Sequence, residues 1–190
     1  MLAQIGAVLV DALASLVVFL LLARFLMQWL RAPFRNPVGE FIVAATNWAV
    51  RPLRRVMPSL AGLDLASLVA AWLAQMGALW ALSALSGQAY RPAAGIAAAT
   101  LAAVALVDLI RFSVYLLAFA VIVQAVLSWI NPYSSVAPIF DAMTRPFLRP
   151  LRRVVPALAN VDLSPLVLLI LLQVLLIPLA HLRALAGGGF

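Results

Sequence analysis

Arginine has the most to offer chemically in this chain, and it is concentrated in two matching places. Arg51-Pro-Leu-Arg-Arg-Val-Met-Pro58 returns as Arg149-Pro-Leu-Arg-Arg-Val-Val-Pro156. The planar forks of Arg51, Arg54, Arg55, Arg149, Arg152 and Arg153 suit bidentate binding of phosphate or carboxylate. These clusters are therefore read as sites for anionic lipid headgroups and an acidic protein surface. They also serve a simpler purpose, since basic loops fix the orientation of a membrane protein, and the two roles are compatible. An aspartate follows each cluster, in Asp64-Leu-Ala-Ser67 and Asp162-Leu-Ser-Pro165. Asp is a favoured N-cap, its carboxylate accepting from free amides of the first turn and complementing the positive helix end. Asp64 and Asp162 are read as caps, with the nearby arginines as further partners. A catalytic pair of aspartates would need a His, Ser or metal ligand beside it, and none accompanies them.

The other polar residues carry less. His181 is the single histidine and falls at an apolar segment's end, where it meets solvent or headgroups. There is no cysteine, which excludes disulfides and thiolate chemistry. No metal-ligand spacing, nucleotide loop or activated nucleophile is present, so neither metal nor cofactor is expected and the chain reads as no enzyme. Arg24, Gln28, Gln75, Asp108, Arg111, Gln124 and Gln173 fall near bilayer depth, where such residues bridge helices. Arg24, close to the end of its segment, is expected to snorkel to the interface, the alternative being an inward functional charge. Gln75 and Gln173 are equivalent in the two copies. They either join helices or line a polar path near a pseudo-two-fold axis.

The elements that carry these residues follow from composition. With 66% hydrophobic and 10% charged residues, the chain lies far from the roughly 25% charged content of soluble domains. Its apolar runs reach the roughly 20 residues that a helix needs to cross a bilayer. The duplication extends from Pro52-Leu-Arg-Arg to Leu68-Val69 and from Pro150-Leu-Arg-Arg to Leu166-Val167 without a gap, and Trp29 with Asn36-Pro37 answers to Trp129 with Asn131-Pro132. The expected fold is an all-α membrane protein of two tandem repeats, each with two transmembrane helices flanking an interfacial helix and an arginine-rich loop. The first repeat, 1–88, has spans near 5–30 and 65–85 and an interfacial segment near 39–50, too short to cross. The second, 89–190, has spans near 110–130 and 163–182, with an interfacial segment near 138–148 that Pro146 interrupts. An alanine-rich segment near 93–107 precedes it. Asp108 and Arg111, three apart on one helical face, are expected to pair and to divide 93–130 into a short piece that does not cross and a full span.

Charge then sets topology. Four spans place Arg31, Arg35, Arg51, Arg54 and Arg55 on the same side as Arg145, Arg149, Arg152 and Arg153, which the positive-inside rule makes cytoplasmic. Both termini then face the periplasm. The first basic residue is Arg24, so the apolar start lacks the charged region of a secretory signal and reads as a retained span. All 13 basic residues are arginine, in keeping with a GC-rich genome. The net charge of +7 points to an anionic membrane surface before nucleic acid, and no direct nucleic-acid binding is expected.

The doubled core of Trp29, Asn36-Pro37, Arg51 to Pro58 and Asp64-Leu-Ala-Ser67, then Trp129, Arg149 to Pro156 and Asp162-Leu-Ser-Pro165, resembles the YggT family, also called YlmG. The likeness covers nearly the whole chain. It implies a small, multi-pass protein of bacterial inner membranes and plastids without an established enzymatic activity. Relatives are connected with cell division or nucleoid distribution, with potassium-linked osmotic tolerance, and with assembly of a membrane cytochrome. Two functions are carried forward. One is a non-enzymatic scaffold or assembly factor whose cytoplasmic arginine loops bind anionic lipid and a protein partner, with a homo-oligomer open. The other is a small channel or transporter subunit acting in osmotic adaptation.

The absence of cysteine makes topology directly testable. Single cysteines at Ser59 and Ala157 are expected to label from the cytoplasmic side and one at Ser86 from the periplasmic side. Labelling of Ser59 and Ala157 from opposite sides overturns the parallel arrangement.

Overall fold

The computed structural model describes residues 2–57, 64–85, 94–131, 133–155 and 162–187, of which the side chains of 2, 3 and 94–97 are excepted. Ser59, Ser86 and Ala157 lie outside them. The described residues form six helices and no strand: α1 (Leu2–Trp29), α2 (Pro37–Val56), α3 (Leu65–Leu85), α4 (Ala94–Ile130), α5 (Ala137–Val154) and α6 (Ser164–Ala186). Four of them, over Gln4–Trp29, Leu65–Leu85, Ala98–Ile130 and Ser164–Ala186, are long and apolar enough to cross a membrane.

Local chemistry marks the start of α2 clearly. Past Trp29 the chain closes with a Schellman arrangement, the Ala32 amide reaching the Met27 carbonyl at 2.8 Å and the Arg31 amide the Gln28 carbonyl at 3.2 Å. Arg31 takes the left-handed φ of 55° that this turn requires, a conformation usually given to glycine. Asn36 then caps α2, its Oδ1 accepting from the Gly39 amide at 2.8 Å while Pro37 fills the first turn.

Three expectations are corrected. The arginine clusters are not loops: Arg51, Arg54 and Arg55 lie in the last turns of α2, and Arg149, Arg152 and Arg153 in those of α5. Pro52, Pro146 and Pro150 stand inside these helices without ending them. All three are exposed, and the buried rows Ile42, Thr46 and Val50, and Ile139, Met143 and Leu148, hold each helix to the bundle from the other side. Finally, α4 is continuous over 37 residues, about 55 Å at 1.5 Å per residue. Asp108 and Arg111 do pair, at 3.4 Å, but inside the helix, and the alanine-rich stretch packs with it: Val104 and Ala105 are buried, and the Ala102 carbonyl accepts from Trp72 Nε1 of α3 at 3.0 Å.

Packing explains why α4 stays whole, because it contributes to all three apolar clusters. Leu109 joins Val18, Leu22, Val50 and Ala70. Ala120 joins Leu26, Ile42, Ile139 and Met143. Val114, Leu117 and Val121 join Leu148, Leu168 and Leu172. α2 packs on α1 and α3, α5 on α4, α6 and α1, and among the described helices α6 packs on α4 and α5.

The close turn before α2 gives a contrast between two glycines. A Cβ on Gly39 would stand 2.5 Å from the Phe34 carbonyl oxygen and 2.8 Å from its Cα, whereas one on Gly77 would meet nothing within 4 Å. Gly39→Ala is expected to cost about 2 kcal/mol, since backbone must shift, and Gly77→Ala to be neutral or to gain up to about 1 kcal/mol from helix propensity. Thermal unfolding in detergent measures both, and equal effects refute the account.

Candidate functional site

Polar groups gather where the N-terminal end of α3 meets α1 and α2. Arg24, near the C-terminal end of α1, is 5% exposed. It faces inward instead of snorkelling, because α2 presents acceptors to it. Its Nη1 donates to Thr46 Oγ1 at 2.8 Å and to Asn47 Oδ1 at 3.0 Å. Thr46 is free to accept because its own hydroxyl proton goes to the Ile42 carbonyl at 2.6 Å. Arg24 Nε lies 3.6 Å from Asp64 Oδ2.

Asp64, 1% exposed, is the centre of this node. Arg54 grips it side-on, Nη2 to Oδ2 at 2.5 Å and Nε to Oδ1 at 3.3 Å, and Ser67 Oγ donates to Oδ2 at 2.6 Å. The Asp64 carbonyl receives the amides of Ser67 and Leu68, as a residue at a helix start does, while its carboxylate is committed to side chains. Burial on its own pushes this carboxyl up, but Arg54, Ser67 and Arg24 outweigh it and hold the group below the usual carboxylate range.

The second half repeats part of this arrangement in the open. Arg152 Nε lies 2.8 Å from Asp162 Oδ2, and both side chains are more than two-fifths exposed. Asp162 Oδ1 accepts from the Ser164 amide at 2.9 Å. The N-cap of α6 is Leu163, so Asp162 serves the first turn from one residue upstream. Burial raises its carboxyl and the Ser164 amide and Arg152 more than reverse this, leaving it lowered. No cation from the preceding span reaches it. Gln124, five before Trp129 as Arg24 is five before Trp29, has a buried Oε1 without a partner.

The six clustered arginines therefore divide. Arg54 and Arg152 are bound to aspartates. Arg51, Arg55, Arg149 and Arg153 are exposed and make no ion pair among the described residues. Each of these pairs is four apart on its helix and so shares one face. On α2 that face continues with exposed Trp48 and Phe41.

A second polar cluster surrounds Asp108 of α4, opposite Gln75 at the middle of α3. Gln75 Nε2 donates to Asp108 Oδ2 at 3.1 Å, and Oδ1 takes Arg183 Nε at 2.7 Å and Arg111 Nη1 at 3.4 Å. Asp108 thereby joins α3, α4 and the end of α6 beside a cavity of about 180 Å³. Arg111 Nε is buried there without a partner. Gln173 is elsewhere, exposed on α6, so the two glutamines share no polar path among the described residues. Arg183 comes from 75 residues away, and nothing local in the sequence marks it as Asp108's partner. Thr46 and Thr144 are findable in principle, as both recur at equivalent positions and both are buried. His181 is exposed, its Nδ1 3.0 Å from the Ile177 carbonyl. Among the described residues no group of three His, Cys, Asp or Glu is placed to hold a metal.

The family model described as CCB3/YggT matches residues 3–85 and 103–183. "Uncharacterized protein PA0392" of Pseudomonas aeruginosa is 34% identical over 182 residues, 94% of this chain and 90% of that protein. "Uncharacterized protein YggT" of Escherichia coli K12 is 30% identical over 181 residues, 95% and 92% of the two chains. A Vibrio alginolyticus protein named for the proC 3' region is 32% identical over 166 residues, 87% and 88% of the two. These names carry no enzymatic activity. No solved structure matches the chain.

The unequal burial of the two aspartates sets a test. Asp64→Asn leaves Arg24 buried without its counter-charge and is expected to cost about 2 kcal/mol or more; the exposed Asp162→Asn is expected to cost under about 1 kcal/mol. Because the Asp64 carboxyl is lowered in the folded protein, its stabilisation is full above the unfolded value of about 3.9 and is lost as pH falls through the lower folded value. Melting temperatures in detergent between pH 7 and 3 measure this. Wild type should lose stability along that acid limb and Asp64→Asn should show a flatter one; equal losses from the two variants at pH 7 refute it.

Proposed function

The chain belongs to the CCB3/YggT family, and from that premise we propose that it is a non-enzymatic scaffold or assembly factor of the bacterial inner membrane, built from two tandem repeats. In this reading α2 and α5 lie along the cytoplasmic interface, and their free arginines hold anionic lipid headgroups and an acidic face of a protein partner. The observation that carries it is the division of the arginines. One arginine of each cluster is spent on an aspartate at the start of the following span, and the remaining two stay exposed on a helix held to the bundle by its buried row. A positively charged pair on an anchored, amphipathic helix is a surface for binding anions.

Further features support the same reading. Exposed Phe41 and Trp48 suit the headgroup layer, which favours aromatic rings. The family model's two separate matches are what a doubled unit would produce. Each arginine near an anionic leaflet contributes about 1 kcal/mol, so the four free ones supply an attraction of about 4 kcal/mol. Transport receives less support, because Gln75 and Gln173 occupy different environments and the groups at Asp108 are chiefly engaged with one another.

Two sets of substitutions separate charge from geometry. With Arg51, Arg55, Arg149 and Arg153 all changed to Lys, the protein should insert in the same orientation and retain phosphatidylglycerol through purification, since charge is preserved, yet bind its partner more weakly because the fork is lost. With all four changed to Ala, lipid retention read by native mass spectrometry should fall about tenfold or more. Unchanged phosphatidylglycerol retention in the Ala form refutes the lipid role, and unchanged partner recovery in both forms refutes the docking role.

A further inference from the structure

Gln173 is a polar residue of α6 to which no described residue offers a hydrogen bond. It lies nine residues past Ser164 in a 23-residue helix, close to the midpoint of the span, and it is exposed. α6 turns Leu168, Leu172 and Leu179 toward α4 and α5, its neighbours among the described helices. No described residue hydrogen-bonds the Gln173 amide. A primary amide facing hydrocarbon without a partner is costly, because no water is there to replace one.

The surroundings of Gln173 have the pattern of a helix seam. Leu166, Ile170, Gln173, Ile177, Ala180 and Ala184 follow one another at intervals of four, three, four, three and four residues and are all exposed. That is the spacing at which two helices keep one row of side chains in mutual contact. The alanines at its far end let the backbones approach closely. Pro178 lies inside the helix and has no N–H to give the Val174 carbonyl, which adds a second acceptor beside Gln173 on the exposed side.

We propose that this face of α6 is a homodimer interface, in which α6 packs against α6 of a second copy across a two-fold axis and the two Gln173 amides bond each other. The self-complementary chemistry selects the partner. One amide carries both donors and an acceptor, so two identical amides related by a two-fold satisfy each other reciprocally, and an isologous contact needs only one surface. The interface rests on the membrane-spanning part of the function proposed above and not on its arginines.

The cysteine-free chain permits a direct test in native membranes. Ile170→Cys and Ile177→Cys are expected to form disulfide-linked dimers under mild oxidation. Leu175→Cys, on another side of α6, and Leu13→Cys, on the exposed side of α1, are not. Adding Gln173→Leu to Ile177→Cys should lower the yield about fivefold, and Gln173→Asn, which keeps an amide, should lower it less. Equal cross-linking at Leu175 or Leu13, none at Ile170 and Ile177, or a yield that Gln173→Leu leaves unchanged overturns the proposal, with lipid or a different protein then covering the amide. The form with four arginines changed to Ala should cross-link as wild type does. Loss of cross-linking there would overturn the assignment to α6, whereas loss of lipid binding with intact cross-links would sink the scaffold reading without touching the dimer.

Discussion

A carboxylate excluded from solvent must be held by cations and hydrogen-bond donors, or it disrupts the structure around it. Asp64 is in that position, and the donors it requires come from three different helices: Arg24 of α1, Arg54 of α2 and Ser67 of α3. Satisfying one buried charge therefore fixes the angle at which α2 leaves the bundle and the depth at which α3 starts. Arg24 is subject to the same constraint in reverse, since a guanidinium 5% exposed needs Thr46, Asn47 and Asp64 together. Each charge is the reason the other is tolerated.

The second half relaxes that constraint. Gln124 in place of a cation removes the need for a buried counter-charge, and Asp162 with Arg152 moves to the surface, where an ion pair contributes little. The two halves share a plan and differ in how tightly it is fastened.

Much of this is visible in the sequence, for reasons that can be named. Membrane character follows from run length and composition, and the ten-residue interval from Arg54 to Asp64 and from Arg152 to Asp162 recurs with the arginine motif. The helicity of the arginine clusters is hidden because Pro52, Pro146 and Pro150 argue locally for breaks. What overrides them is a row of each helix's own residues buried against the other helices, a tertiary contact that no local pattern records. The continuity of α4 is hidden in a similar way. Asp108 and Arg111 read as an interruption of an apolar run, and they become part of a span only when Gln75 and Arg183 arrive from distant positions to share the charge. The separate fates of Gln75 and Gln173 cannot be read from their equivalence, since the difference lies in which helix stands opposite: α4 with Asp108 in one case, and no described element in the other.

The uninterrupted course of α4 has a mechanical consequence. It is a single rigid strut, pinned near Ala120 by Leu26, Ile139 and Met143 and tethered at Asp108 by Gln75 and Arg183. The two points are twelve residues apart, about 18 Å along the axis, so rocking the strut by about 10° around the first sweeps the second through roughly 3 Å. A hydrogen bond of 2.7 Å between Arg183 and Asp108 does not survive such a displacement. The Asp108 tether thus acts as a brace against rocking of α4 about the point near Ala120.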